Sequence, residues 1–158
     1  MKKLLLLSAL LIFSCSSDSS DSDDNDLMEE TFLERYDGVV WEHFYTFQGE
    51  EEVERNMFTN TPKAFFNRGG EFDDVETWCN TFLYNTPYPD GSIAQIIENS
   101  GDILIVEKTF VSHTEFINWE VIDNGNRLTG TGTSTDINVG EVYNFTANRT
   151  FYPQISCN

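Results

Sequence analysis

From Val39 onward the chain alternates. Val39, Trp41, His43, Tyr45 and Phe47 share one parity, and Val40, Glu42, Phe44, Thr46 and Gln48 share the other. Side chains of a strand point alternately to its two faces, so this period of two predicts a strand whose aromatic-rich odd parity turns inward. The same period predicts strands over 53–59, 63–67, 75–84, 92–98, 103–111, 114–122, 127–133 and 141–152. Trp78, Phe82 and Tyr84 fall on one parity with Cys79 on the other, and Ile117, Trp119 and Val121 fall together. In the last segment Tyr143, Phe145, Ala147, Arg149 and Phe151 oppose a wet face of Asn144, Thr146, Asn148 and Thr150. Turn chemistry separates the segments at Gln48-Gly49-Glu50, Arg68-Gly69-Gly70, 87–91, 99–102 and Asn124-Gly125. Ahead of Gly38 the spacing changes. Phe32, Leu33 and Tyr36 recur at three and four residues, which predicts a short helix over 29–36. Eight or nine strands with short turns and one small helix make an all-β domain. The expected architecture is an up-and-down β-barrel, with a β-sandwich as the alternative.

The segment ahead of this domain has a different character. Lys2 and Lys3 precede an uncharged, Leu-rich run from Leu4 to Phe13, followed by Ser14 and Cys15. The run is about half the ~20 residues that a membrane-crossing helix needs, so it reads as the core of a signal peptide. Ile12-Phe13-Ser14-Cys15 resembles a bacterial lipobox. That resemblance implies removal of residues 1–14 and lipidation of Cys15. Residues 16–26 are Ser, Asp and Asn alone. Such a stretch cannot bury enough surface to offset its chain entropy and is expected to be a tether over 15–26. It resembles the acidic segment behind the lipidated Cys of Bacteroidetes-type lipoproteins, which can direct export to the cell surface; a plain solvated spacer is the other reading. A calcium loop does not fit: counting from Asp21, the turn glycine falls on Asp26 and the bidentate Glu on Phe32. The folded domain is then 27–158.

Charge narrows the partners. The chain has 27 acidic against 9 basic residues and a net charge of −18, more negative still without Lys2 and Lys3. This opposes nucleic acid and anionic lipid, so membrane attachment is expected through acyl chains alone. With Cys15 lipidated, Cys79 and Cys157 remain as an even pair in an oxidising compartment, and a disulfide is expected between them. One distant Cys pair and two scattered His residues make no zinc ligand set.

Catalytic motifs are absent from the sequence: there is no nucleophile elbow, His-Glu-x-x-His pair, phosphate loop or Cys-x-x-Cys. His43 lies on the inward parity without an identifiable partner and reads as a hydrogen-bonded lining residue. His113 falls in a hairpin. Glu50-Glu51-Glu52 and Asp73-Asp74 read as solvated turn charges, and Asn144-Phe145-Thr146 and Asn148-Arg149-Thr150 as a polar strand face. A non-enzymatic protein without cofactor or metal is expected.

A short helix, then Gly38-Val39-Val40-Trp41 opening the first strand, then an up-and-down meander resembles the lipocalin-like lipoproteins. The resemblance covers about 29–157. It implies a lipocalin-like barrel in which Arg149 lies across Trp41 near the closed end, and a tail tied to the middle of the barrel by Cys79 and Cys157. It also implies an outer-membrane, surface-exposed lipoprotein that binds a small hydrophobic or amphipathic ligand. The residues expected to line such a site are His43, Tyr45, Trp78, Phe82, Trp119 and Tyr143. Inward aromatics either fill a small barrel or line a cavity, and Gly130 and Gly132 mark either a cavity or a bend. The alternative function is an adhesion or assembly module with a filled barrel that works through its outer surface. No protein partner is identifiable from the sequence.

Overall fold

The structure, a computed structural model, describes residues 29–71, 76–136 and 141–157. The expected signal peptide 1–14, Cys15, the tether 15–26 and the pair Asp73-Asp74 lie outside them. One helix, α1 (Phe32–Arg35), precedes nine strands: β1 (Val40–Phe47), β2 (Glu50–Thr59), β3 (Ala64–Glu71), β4 (Glu76–Leu83), β5 (Ile93–Ser100), β6 (Ile103–Thr109), β7 (Thr114–Ile122), β8 (Arg127–Ser134) and β9 (Glu141–Thr150). A 3-10 turn, Asp123–Gly125, joins β7 to β8.

The strands form one sheet in the order β4-β3-β2-β1-β9-β8-β7-β6-β5, every neighbouring pair antiparallel. The first and last strands meet through Val40↔Thr150, Trp41↔Arg149 and Glu42↔Asn148. That ladder makes the fold a nearly closed up-and-down barrel and removes the sandwich. A ring with an odd number of strands cannot alternate direction all the way round. The mismatch falls between β4 and β5, which run parallel and meet at the isolated bridge Tyr84↔Ala94. The Asn85 N–H donates to the Ala94 carbonyl at 2.7 Å, and the Ile96 N–H donates to Asn85 Oδ1 at 3.0 Å. This seam is the weak line of the barrel wall.

Helix α1 is shorter than its apolar spacing predicts, because Thr31 starts it late. Thr31 and Glu34 form a capping box, with the Thr31 N–H donating to Glu34 Oε2 at 3.0 Å. The helix stops one end of the barrel: Phe32 and Leu33 are fully buried, and the Leu33 N–H donates to Asn99 Oδ1 at 3.0 Å. Beneath it lies an aromatic cluster centred on Phe58, whose ring centroid is 5.2 Å from Phe32, 5.8 Å from Trp41, 5.1 Å from Phe65 and 5.2 Å from Trp119. At the rim, Asp102 accepts hydrogen bonds from Tyr36 and Arg35, which hold its carboxyl below the usual range against the effect of burial.

The expected turn at Arg68-Gly69-Gly70 is not there; these residues lie inside β3. Gly69 pairs with Trp78, and a methyl group at Gly69 would sit 2.3 Å from the Trp78 ring. The glycine therefore serves close approach of a ring to the backbone, not reversal of the chain. Gly69→Ala is expected to cost about 1–3 kcal/mol by overpacking, read as a fall in the urea midpoint with circular dichroism otherwise unchanged.

Beyond β9 the tail runs along the outside of the barrel. Ile155 is buried against Val40 and Met57, with Phe66, Tyr152, Cys79 and Cys157 around them. The Arg55 guanidinium lies 3.9 Å from the Tyr152 ring centre and bonds Glu42 at 2.7 Å. Cys79 on β4 is bridged to Cys157, as the even pair predicts, with the Cα atoms 5.5 Å apart.

Candidate functional site

The barrel interior changes character along its axis. Each of several strands places an aromatic or aliphatic side chain inward near α1 and a polar one two positions further on. On β2 Phe58 is followed inward by Asn56 and Glu54; on β3 Phe65 by Asn67; on β4 Phe82 by Asn80; on β6 Val106 by Lys108; on β7 Ile117 by Glu115. The closed half is thus packed, and the open half is a chamber of about 230 Å³ with Phe65, Phe82, Ile117 and Trp119 as floor and Glu54, Asn67, Asn80, Lys108 and Glu115 as wall. A second space of about 220 Å³ lies at the β4–β5 seam, with Ile93, Ala94, Phe110 and Tyr88 in its lining beside the polar Asp90, Ser92 and Thr109. The two spaces share Phe82 and Lys108.

The polar wall is ordered by its own bonds. Glu54 Oε1 accepts from Asn67 Nδ2 at 2.7 Å and from Asn56 Nδ2 at 3.0 Å, and Asn67 Nδ2 also donates to Asn56 Oδ1 at 2.8 Å. Asn56 is fully buried, so this triad is fixed by the surrounding packing. Glu115 Oε1 lies 3.3 Å from His113 Nε2. Lys108 is different. Its Nζ sits 4.6 Å from the Phe82 ring centre, and among the described residues it makes no hydrogen bond and no ion pair. Burial pushes its amine below the usual lysine range, with the Glu115 charge acting in the opposite sense.

That displacement has a sign in stability. Folded Lys108 loses its proton at lower pH than unfolded Lys108, so between those two values the unfolded chain holds more protons and stability rises with pH. At neutral pH the half-buried ammonium works against folding. Lys108→Met is therefore expected to raise unfolding free energy by about 1 kcal/mol and to flatten the rise toward alkaline pH. Chemical denaturation at a series of pH values checks both.

The residues singled out by sequence divide into groups. Phe82 and Trp119 lie in the chamber floor. Trp78 lies on the same face of β4, over Gly69. His43 and Tyr45 stack on β1 at 5.7 Å with their rings near parallel, outside the chamber's lining. The His43 Nδ1–H donates to the Thr146 carbonyl at 2.9 Å, and Tyr45 donates to Glu52 Oε2 at 2.8 Å. Burial, then Glu52, pushes the Tyr45 hydroxyl up to about 12. Tyr143 is on β9 opposite Gly132; its side chain lies outside the described residues. Gly130 does not open a cavity: it pairs with both Trp119 and Phe145, whose rings meet at 5.3 Å.

Trp41 and Arg149 are register partners across the β1–β9 closure, but Arg149 is exposed and does not cover the Trp41 ring. Tyr36 lies against Trp41 instead, at 5.6 Å, because α1 already stops that end and leaves the guanidinium in solvent beside Gly125. Guanidinium stacking occurs on the outer face, where Arg55 and Arg68 flank Tyr152.

Sequence reasoning passed over Lys108, Glu54, Asn67 and Glu115. The signal was present for Lys108, which shares the inward parity of Leu104 and Val106. Among the described residues no group of three or more His, Cys, Asp and Glu side chains gathers as a metal site. The arrangement offers non-covalent chemistry: an aromatic floor, two engaged carboxylates and one desolvated cation. Comparison with protein-family models, curated proteins and solved structures returns no match for this chain.

Proposed function

We propose that this protein is a binding protein for a small amphipathic molecule, held in the open half of the barrel. The observation that carries this reading is that an apolar groove and a polar chamber border the same two residues, Phe82 and Lys108. Binding sites of small molecules combine an apolar surface with placed polar groups, and here the aromatic floor and the polar wall supply the two parts. Each space is below the usual ~300–1,000 Å³ of such sites, so the ligand is small. Native mass spectrometry of the purified chain tests the reading, with added mass as the expected result. A ligand in the chamber also changes Trp119 emission, and Trp119→Phe removes that response. Ligand-free spectra together with unresponsive emission across a panel of amphiphiles would leave an outer-surface role as the better account.

In the same proposal, Cys15 carries a lipid that holds the chain at the cell envelope, with the lipocalin-like barrel displayed on the outer surface. The support is the sequence from Met1 to Asp26. Cys15→Ala should move the protein out of the membrane fraction; retention there overturns the anchor.

A further inference from the structure

We infer that the ligand is an anionic amphiphile, with a carboxylate head on the Lys108 ammonium and an apolar tail in the groove at the β4–β5 seam. This deepens the binding reading above and rests on it. The way the chamber's charges are paired supports the head group. Three ionisable side chains line it, Glu54, Lys108 and Glu115. Glu54 is held by the amides of Asn56 and Asn67, and Glu115 by His113. Lys108 has the face of Phe82 and the charge of Glu115, its register partner across the β6–β7 ladder, with which it forms no ion pair. A cation over an aromatic ring recovers part of its lost hydration, and the rest awaits a charged partner.

The other ligand charges fit less well. An ammonium head would meet Lys108 at close range and find the carboxylates already engaged. A neutral head would leave the ammonium without an ion pair. The chain's overall acidity does not decide the matter, because its exposed charges are screened beyond about 8 Å at physiological ionic strength, whereas Lys108 lies inside the wall. The position of Lys108 supports the tail. It borders both the chamber and the groove, and a molecule whose head reaches Nζ from the seam lays its chain along Phe82, Ile93 and Phe110.

Calorimetric titration of the full purified chain with octanoate, octanol and octyltrimethylammonium tests the assignment. Octanoate is expected to bind at least tenfold more tightly than octanol, the size of effect of one charge-assisted hydrogen bond. The cation is expected to bind more weakly than the alcohol. Lys108→Met should bring octanoate down to the level of octanol, and Lys108→Arg should recover part of the difference. Lys108→Met is expected to fold with raised stability, and its unfolding curve checks this. Octanol or the cation binding as tightly as octanoate, or Lys108→Met leaving octanoate unaffected, overturns the anionic assignment and leaves the cavity reading standing. No binding by any of the three probes overturns both.

Discussion

Phe58→Ala is expected to lower the unfolding free energy by about 3–5 kcal/mol, the range for truncating a buried aromatic. Phe58 is completely buried and touches rings from α1, β1, β3 and β7. Those four elements cannot close on the space it leaves without shifting strands already fixed by ladders on both sides, so the cavity persists. Since a domain of this size has only about 5–15 kcal/mol of stability, the variant sits near the edge of folding at 37 °C. Urea denaturation reads the effect as a lower midpoint with unchanged slope. Phe151→Ala is the control: Phe151 is fully exposed, and its loss should stay within about 0.5 kcal/mol. A Phe58→Ala loss as small as the control's would mean that the stability does not reside in the aromatic cluster.

Breaking the Cys79–Cys157 bridge is expected to cost about 4 kcal/mol on the chain-entropy account, because the bridge closes a loop with a sequence separation of 78 residues. A further loss follows if the released tail leaves the barrel and uncovers Val40 and Met57, which Ile155 shields. Arg55 would then keep its bond to Glu42 but lose the Tyr152 ring above it. Cys157→Ser separates the two effects from general reduction. Its midpoint should fall in parallel with that of the reduced parent, and reductant should not lower the variant further. An unchanged midpoint in the variant would show that packing alone holds the tail.

The strand pattern was legible because the barrel is half wet. Where the inner face is apolar and the outer face polar, as from Ile117 to Val121, period two marks both the strand and its orientation. The β1–β9 closure and the disulfide were also within reach, the one from the length of the meander and the other from a count of cysteines. Three things were not. Gly69 and Gly70 have the composition of a turn, and only the ring of Trp78 lying on Gly69 explains them as strand residues. The stack of Arg149 on Trp41 was implied by the lipocalin resemblance together with inward parity, and neither says how far a helix such as α1 has already filled the end of the barrel. The chamber was hard to read because its wall combines single residues from β2, β3, β4, β6 and β7, far apart in the sequence. A lone Lys at position 108 reads as surface until its neighbours in space are known.

The two-armed topology also sets the order in which the chain can fold. Strands β1 to β4 form one run of sequence-local hairpins and β5 to β9 another, and each can zip from its own turns on the microsecond scale of hairpins. The arms are joined by the β1–β9 ladder, whose partners Trp41 and Arg149 come from opposite ends of the domain. Its closing must wait on the search of a long chain, rewarded at first by only a few residue pairs, so this step sets the pace. The bridge between Cys79 and Cys157 ties the end of one arm to the end of the other. An oxidised chain therefore begins the search with its arms already in reach, and a reduced chain must find the same pairing across the full length of the domain.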